Sequence, residues 1–457
     1  MTLISTNPAT GEEIQSYEKH SPDEVKYILN QVVDEQQRWE QSTIEFRQSC
    51  LETMAGVIRD KSKEYGKLMS LEMGKPLSQS IAEAEKCAWL CDYYRESGPS
   101  FLADKSENIA GQKSLISVQP IGLVLGVMPW NFPFWQVFRF AIPTITAGNG
   151  AILKHASNVQ GCAKAIEDCF KESGFPENIF RNLVIPGREV ADVIKSPAIA
   201  AVTLTGSTPA GKSVAKTAGS VLKKTVLELG GSDPYVVLDD ANLDVALDAC
   251  IAGRLLNAGQ SCIAAKRIIV TEGIYDAFSE MLEKKLSEKI VGDPMDDVDM
   301  GPMVSVESRD EVHGQVVRSI ESGANLRLGG AISDEEGAYY PITLLTDVTP
   351  GMAAFDEEIF GPVFTLTKAK NEKEAIELGN LSEFGLGSAI FTSDLEKGEY
   401  LAKTGLKAGA CFVNDFVKSD PRLPFGGIKD SGYGRELSSY GMMEFVNIKT
   451  VVIKETE

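Results

Sequence analysis

The chain has 457 residues and a mass of 49.5 kDa, enough for two or three domains of ordinary size. Hydrophobic residues make up 43% and charged residues 24%, which excludes collagen, coiled coil and wholesale disorder. Asp plus Glu number 65 against 45 Lys plus Arg, a formal charge of −20. A field of that sign repels nucleic acid and anionic lipid, so an anionic ligand needs specific local cations.

The first hundred residues read as a short extended start followed by helices. Asn7-Pro8-Ala9-Thr10-Gly11 is a turn signal. Ser21-Pro22-Asp23-Glu24 is a capping box with proline at the first helical position, and Val25, Ile28, Leu29, Val32 and Val33 follow at helical spacing. Ser42 with Glu45 predicts a second helix start of the same kind. Residues 121–153 carry one charge, Arg139, but Pro129, Asn131, Pro133, Gln136, Pro143 and Asn149 argue against a membrane span and for buried strand, loop and helix.

From 121 to 238 strand-type runs at 122–128, 151–154, 182–186, 200–205, 224–229 and 235–238 alternate with helical stretches near 134–147, 160–173, 188–195 and 208–219. That rhythm predicts an α/β fold with a parallel sheet, whose ligands bind outside the carboxyl ends of the strands. A second alternating block runs from 243 to 430, with helices over 243–257 and 274–289 and strands over 266–271, 363–367 and 388–392. Gly230-Gly231-Ser232-Asp233-Pro234 is the hinge candidate between the blocks. The tail, Phe445 to Lys454, alternates as a strand that needs an edge to pair with, on its own chain or another subunit. The start of the chain shows no signal peptide, and eight scattered cysteines show no metal spacing, so a cytoplasmic protein with reduced thiols and no metal site is expected.

The dinucleotide fingerprint G-x-G-x-x-G is absent; Gly148-Asn149-Gly150 and Gly385-Leu386-Gly387 are near misses. Thr205-Gly206-Ser207-Thr208 joins a strand to a helix start that is either plainly capped or holds a phosphate on free N–H groups. Gly259-Gln260-Ser261-Cys262 presents a thiol that is either an inert buried cysteine or a nucleophile on a tight backbone. Glu228, between an apolar strand end and two glycines, is a solvated strand tip or a general base with a raised pKa. Asn131 caps the helix near 134 or donates to an oxyanion.

Taken together these motifs resemble the aldehyde dehydrogenase superfamily over essentially the whole chain. The matching runs are Pro129-Trp130-Asn131-Phe132-Pro133, Thr205-Gly206-Ser207-Thr208, Glu228-Leu229-Gly230-Gly231, Gly259-Gln260-Ser261-Cys262, Glu357-Glu358-Ile359-Phe360-Gly361-Pro362, Pro424-Phe425-Gly426-Gly427 and Gly434-Arg435-Glu436. The resemblance implies a Rossmann-type cofactor domain (1–97 and 121–231), an α/β catalytic domain (232–432) and a small β oligomerisation element (98–120 and 440–457) in a homo-dimer or homo-tetramer. It implies that Cys262 attacks a small-molecule aldehyde, that Asn131 and the Cys262 N–H hold the oxyanion, and that Glu228 activates water. Trp130, Lys154, Ser157, Gly206, Ser207, Leu229, Glu358 and Phe360 would bind the cofactor.

Many NAD-preferring members carry Glu where this chain has Ser157, and a carboxylate there would repel a 2′-phosphate; NADP is therefore expected, with NAD possible as a second cofactor. His155 stands where the family usually has proline and either assists or is structural. Arg139, the one charge in its stretch, needs an anion: a core carboxylate or a substrate carboxylate. Its place after Asn131-Phe132-Pro133, and the loop Val417-Lys418-Ser419-Asp420-Pro421-Arg422, resemble the succinate-semialdehyde dehydrogenase branch, with Ser419 a second contact and Trp135 and Phe416 as walls. Ala264 occupies the position where some members carry a second cysteine, which removes a local disulfide switch. The alternatives are a broad-specificity dehydrogenase of other short or carboxylated aldehydes, and a non-catalytic NAD(P)-binding protein.

Overall fold

The computed structural model describes residues 2–109, 112–332 and 336–454. Two parallel-type sheets dominate. The first has six strands in the order Gly432–Tyr433, Lys224–Glu228, Ile199–Thr205, Leu123–Met128, Gly150–His155 and Phe180–Asn182, all parallel except the first. The second has seven, in the order Asn325–Leu328, Thr343–Thr346, Val363–Ala369, Ala265–Thr271, Asp233–Val237, Ala389–Phe391 and Phe412–Val413, with only Asn325–Leu328 antiparallel. Their central strands are continuous apolar runs because helices cover both faces, leaving no solvated side to demand alternation. The chain crosses from one sheet to the other at Gly230–Pro234, between Glu228 and Asp233.

The capping box forms as expected: Ser21 accepts the Glu24 N–H, Glu24 returns to the Ser21 N–H, and the helix Pro22–Trp39 follows. The next helix, Ile44–Asp60, is capped by Thr43 rather than Ser42. The Ser42 hydroxyl donates to the Trp39 carbonyl at 2.6 Å, closing the preceding helix, and so is spent. The strand expected at 182–186 is Phe180–Asn182, with Leu183 and Ile185 buried in the loop beyond it.

A third sheet is antiparallel, Val446–Lys454 against Gln112–Pro120 against Lys105–Ile109. The tail strand thus pairs within its own chain, while its far edge and Ile448, Val452 and Ile453 stay exposed. Met1, residues 110–111 and 455–457, which belong to the expected terminus and oligomerisation element, lie outside the described residues. Among the described residues no helix is long and apolar enough to cross a membrane. The low-charge stretch folds as two strands with the helix Trp135–Thr146 between them.

Parallel topology places the site. The strands of the first sheet end in register at Met128 and His155, and at Thr205 and Glu228. Trp130, Asn131, Ser157, Gly206, Ser207 and Leu229 therefore leave the same edge. Cys262 and Glu358–Phe360 lie just before Ala265–Thr271 and Val363–Ala369, at the amino edge of the second sheet. The cleft lies where these two edges meet.

Candidate active site

A cleft of about 310 Å³ is lined by Trp130, Asn131, Gly206, Ser207, Leu229, Cys262, Glu358 and Phe360 among others. A second cavity of about 170 Å³ is lined by Lys86, Phe132, Trp135, Arg139, Cys262, Ser419 and Phe425 among others. Cys262 and Gln136 border both. The thiol sits at the junction of two chambers.

The loop that presents Cys262 is bent by three consecutive residues in the left-handed region, Asn257, Ala258 and Gly259, with φ of 55°, 53° and 74°. Non-glycine residues hold that region only when the surroundings fix them. Here Asn257 donates its amide to the carbonyls of Asn131 at 2.8 Å and Gln260 at 3.2 Å, and Asn131 donates to Gln260 at 3.0 Å. Gln260 is held in turn by the Val304 N–H on its side-chain oxygen and by its own bond to Asn257. The network fastens the Asn131 amide to the loop that carries the thiol. One Asn131 N–H remains free for an oxygen bound beside Cys262. Asn131 does not cap the following helix. That is done by Glu83, which accepts the N–H groups of Phe134 and Trp135 at 2.9 Å each and pairs with buried Lys75. Burial pushes the Cys262 thiol up to about 12, with Lys266 and Arg139 pulling the other way.

Glu228 is fully buried at the last position of its strand, and neither of its carboxylate oxygens has a partner. Burial, then the neighbouring Glu436 carboxylate, holds its pKa well above the ordinary range, against Arg139 and Arg435. It lines neither chamber. Its Oε1 lies against Gly426, where a Cβ would approach to 2.6 Å, and Gly426 has φ of +152°. The structure thus holds Glu228 dry and withdrawn, with its neighbours Leu229 and Gly230 on the cleft wall.

The cofactor end has the chemistry of a cradle. Gly206 and Ser207 precede the helix Thr208–Ser220, and Ser207 makes no side-chain capping bond, so the first N–H groups are open to an anion. Gly211 packs on Leu229, where a Cβ would clash at 2.5 Å. Lys154 is buried without a hydrogen-bond or ion-pair partner among the described residues, and burial lowers its pKa. Such an orphaned cation fits a cofactor oxygen. Ser157 lies in the turn beyond the same strand, half-buried. Glu358 is held by Lys266 and accepts the Gly231 N–H at 3.1 Å through the same oxygen, leaving its other oxygen free. Trp130 and Phe360 meet edge to face, with centroids 5.9 Å apart. Lys266, which also donates to the Cys262 and Gly231 carbonyls, was not singled out in the sequence, where it is one more basic residue in a strand.

His155 is structural. Its Nε2 lies 2.9 Å from the Pro133 carbonyl and its Nδ1 accepts the Ala156 N–H at 3.0 Å, tying the Asn131 loop to the turn that carries Ser157. Burial holds its pKa down to about 4, so it stays neutral.

Of the two anions open to Arg139, the structure shows the core carboxylate. The Arg139 Nε pairs with the buried Glu436 carboxylate, and its guanidinium stacks 4.5 Å over Phe425. The anion this cation needs is therefore already supplied by the core. It still borders the smaller chamber, and its Nη2 has no partner. Phe416 is displaced from its expected wall. It borders an outer groove with Gln79 and Leu256, while Phe132 and Phe425 wall the chamber itself. Ser419 accepts both the Trp135 indole N–H and the Lys86 ammonium, each at 3.0 Å.

A thiol on a strained loop, an amide aimed beside it, a withdrawn carboxylate and an anion cradle across the cleft define an oxidoreductase-type site acting through a covalent thiol adduct. The chain belongs to the aldehyde dehydrogenase family, which it matches over residues 1–451. It is 45% identical over 449 residues to the Escherichia coli K12 protein named succinate semialdehyde dehydrogenase (NAD(P)+) Sad, covering 98% of this chain and 97% of that protein. It is 43% identical over 457 residues to the Mycobacterium leprae succinate-semialdehyde dehydrogenase (NADP(+)), covering 99% and 100%. The crystal structure of the Streptococcus pyogenes succinic semialdehyde dehydrogenase in complex with NADP+ superposes with a TM-score of 0.97 at 35% identity, covering 99% of this chain and 100% of that one.

Proposed function

We propose that the protein oxidises succinate semialdehyde to succinate with NADP+ in preference to NAD+. The observation that carries this reading is the position of Cys262 at the junction of a cofactor cleft and a short, cation-bearing chamber. The relatives named for this reaction support it across nearly their full length.

The residues divide the chemistry as follows. Gly206 and Ser207 would hold the pyrophosphate, Lys154 and Ser157 the adenosine ribose and its 2′-phosphate, and Glu358 the nicotinamide ribose. Trp130, Leu229 and Phe360 would flank the bound cofactor. The nicotinamide supplies the hydride acceptor. Cys262 gives its proton to water in the cleft and its sulfur adds to the aldehyde carbon, placing the carbonyl electron pair on oxygen. The free Asn131 N–H and the Cys262 backbone N–H receive that oxyanion. Departure of hydride leaves a thioester on Cys262. Glu228 then takes a proton from water, hydroxide adds to the thioester carbon, and the thiolate leaves. This role requires the Glu228 side chain to rotate out of its dry pocket toward the cleft. Trp135, Ser419 and the free end of Arg139 would face the distal part of the substrate.

We assign residues 1–97 and 121–231 to cofactor binding and 232–432 to catalysis. Residues 98–120 and 440–457 form the oligomerisation element. The exposed apolar side chains of the tail strand support a homo-dimer or homo-tetramer, and the reduced cysteines a cytoplasmic location. Broad activity on other short aldehydes is the second reading, favoured by the apolar walls Phe132, Trp135 and Phe425. Initial rates over a small panel of aldehydes with NADP+ and with NAD+ decide between them. A clear preference for succinate semialdehyde supports the first reading, and equal efficiency across uncharged aldehydes overturns it.

A further inference from the structure

The smaller chamber contains a cation that neither the sequence motifs nor the reaction scheme uses. Lys86 lies on the helix Leu77–Leu102, half-buried, and lines the chamber. Its Nζ sits 4.4 Å over the Trp135 ring and 3.0 Å from the Ser419 hydroxyl oxygen. No carboxylate reaches it within ion-pair distance among the described residues. Glu83, one turn earlier on the same helix, is committed to Lys75 and two backbone N–H groups. Asp420, on the facing loop, is bound by Arg422. Arg139, from the helix below, adds a second positive charge, and Cys87 on the same helix is a buried neutral thiol. Burial and Arg139 together draw the Lys86 pKa down to about 8.

A buried ammonium without a counter-ion is costly, and that cost is relieved when an anion binds. The donors around it are aligned for one. Ser419 already accepts from Trp135 and from Lys86, so both its acceptor sites are taken and its own O–H is left to donate into the chamber. Arg139, by contrast, spends its Nε on Glu436.

We propose that Lys86, acting with the Ser419 hydroxyl, is a further cation that binds the distal carboxylate of the substrate. Arg139 then serves both as the counter-ion of Glu436, through Nε, and as a neighbouring donor, through its free Nη2. This assignment rests on the carboxylated-aldehyde reading above and names the group that would select for it.

The test compares succinate semialdehyde with butanal, which has the same chain length without the carboxylate. Lys86→Met keeps the aliphatic stem over Trp135 and removes the charge. Its kcat/KM for succinate semialdehyde falls at least about tenfold, mostly through KM, while the butanal value falls far less. Lys86→Arg retains part of the preference. In the unaltered enzyme the ratio of the two efficiencies declines as pH rises through about 8, because Lys86 loses its proton. Dividing by butanal cancels the titration of Cys262 and Glu228, which both substrates share. In Lys86→Met the ratio is flat with pH. That pH profile needs no variant, so it decides the matter even where Lys86→Met folds poorly. If the unaltered enzyme prefers succinate semialdehyde with a pH-independent ratio, or if a folded Lys86→Met keeps that preference, the assignment of Lys86 is overturned while the substrate reading stands. If the unaltered enzyme shows no preference for the carboxylated aldehyde, the substrate reading fails and takes this proposal with it.

Discussion

Replacing Arg139 by alanine perturbs two things at once, and the structure separates them. The guanidinium is 2% exposed and, among the described residues, is the one cation within ion-pair distance of Glu436, itself 4% exposed. Removing one member of a buried pair costs about 3–5 kcal/mol, because the other charge is left uncompensated. Glu436 has a second carboxylate, Glu228, as an electrostatic neighbour, and burial already raises the pKa of both. In Arg139→Ala the Glu436 pKa rises further. A carboxyl group whose folded pKa is raised gives full stability below its unfolded pKa and loses it as pH rises through the folded value. The deficit is therefore small in acid and grows toward neutral and alkaline pH. Urea unfolding at pH 5.5 and pH 8 measures it, with Glu436→Gln and the double variant completing the cycle. Glu436→Gln in the Arg139→Ala background recovers part of the loss at pH 8, since no charge is then stranded. Both succinate semialdehyde and butanal lose activity, because the field around Glu228 changes for either substrate. If Arg139→Ala unfolds at the same urea concentration as the unaltered protein at pH 8, and loses activity on succinate semialdehyde alone, the core ion pair has no energetic role and the argument is wrong.

Three further outcomes follow from the same geometry. Glu228→Gln gives a burst of reduced cofactor equal to the enzyme concentration and then slow turnover, seen by stopped-flow absorbance; in the unaltered enzyme the hydrolytic step gains rate with pH above the ordinary carboxylate range, since burial raises the Glu228 pKa. Ser157→Glu shifts the ratio of NADP+ to NAD+ efficiencies toward NAD+, by adding an acceptor for a 2′-hydroxyl and repelling a 2′-phosphate, and an unchanged ratio removes Ser157 from the cofactor site. His155, held near 4 against an ordinary 6.5, takes up a proton only on unfolding between those values, so stability falls as pH drops through that window; His155→Asn lessens the slope by up to about 1.4 kcal/mol per pH unit in chemical denaturation.

Much of the fold was legible because its signals are local. The capping box at Ser21–Glu24, the strand–helix alternation after residue 121 and the paired glycines after Glu228 all report backbone geometry through nearest neighbours. Ser42 misled for a local reason as well: it and Thr43 both suit a cap, and only the prior need of the Trp39 carbonyl decides between them. The partners of Arg139 and the role of Lys86 were illegible for the opposite reason. Arg139 stood out because its own stretch holds no other charge, yet its partner lies 297 residues away in a segment that reads as a motif of its own. Lys86 was silent because it sits among Glu85, Glu83 and Glu96 on a helix, where a lysine ordinarily faces water. Only the fold shows that Trp135 and Ser419 close over its ammonium. Glu83 was hidden in the same way. The signal that could have found it is the helix at Trp135, which begins without a capping residue of its own and so must borrow an acceptor from elsewhere.

The central claim is that Cys262 carries the acyl group of a carboxylated aldehyde through the reaction. The most direct measurement is the intact and peptide mass of Glu228→Gln, quenched in acid after mixing with NADP+ and succinate semialdehyde. The account predicts one succinyl thioester per chain, on the peptide containing Cys262, and none when Cys262→Ala is added. A Cys262→Ala protein that still reduces NADP+ at near-normal rate, with no acyl group on any cysteine, would contradict it.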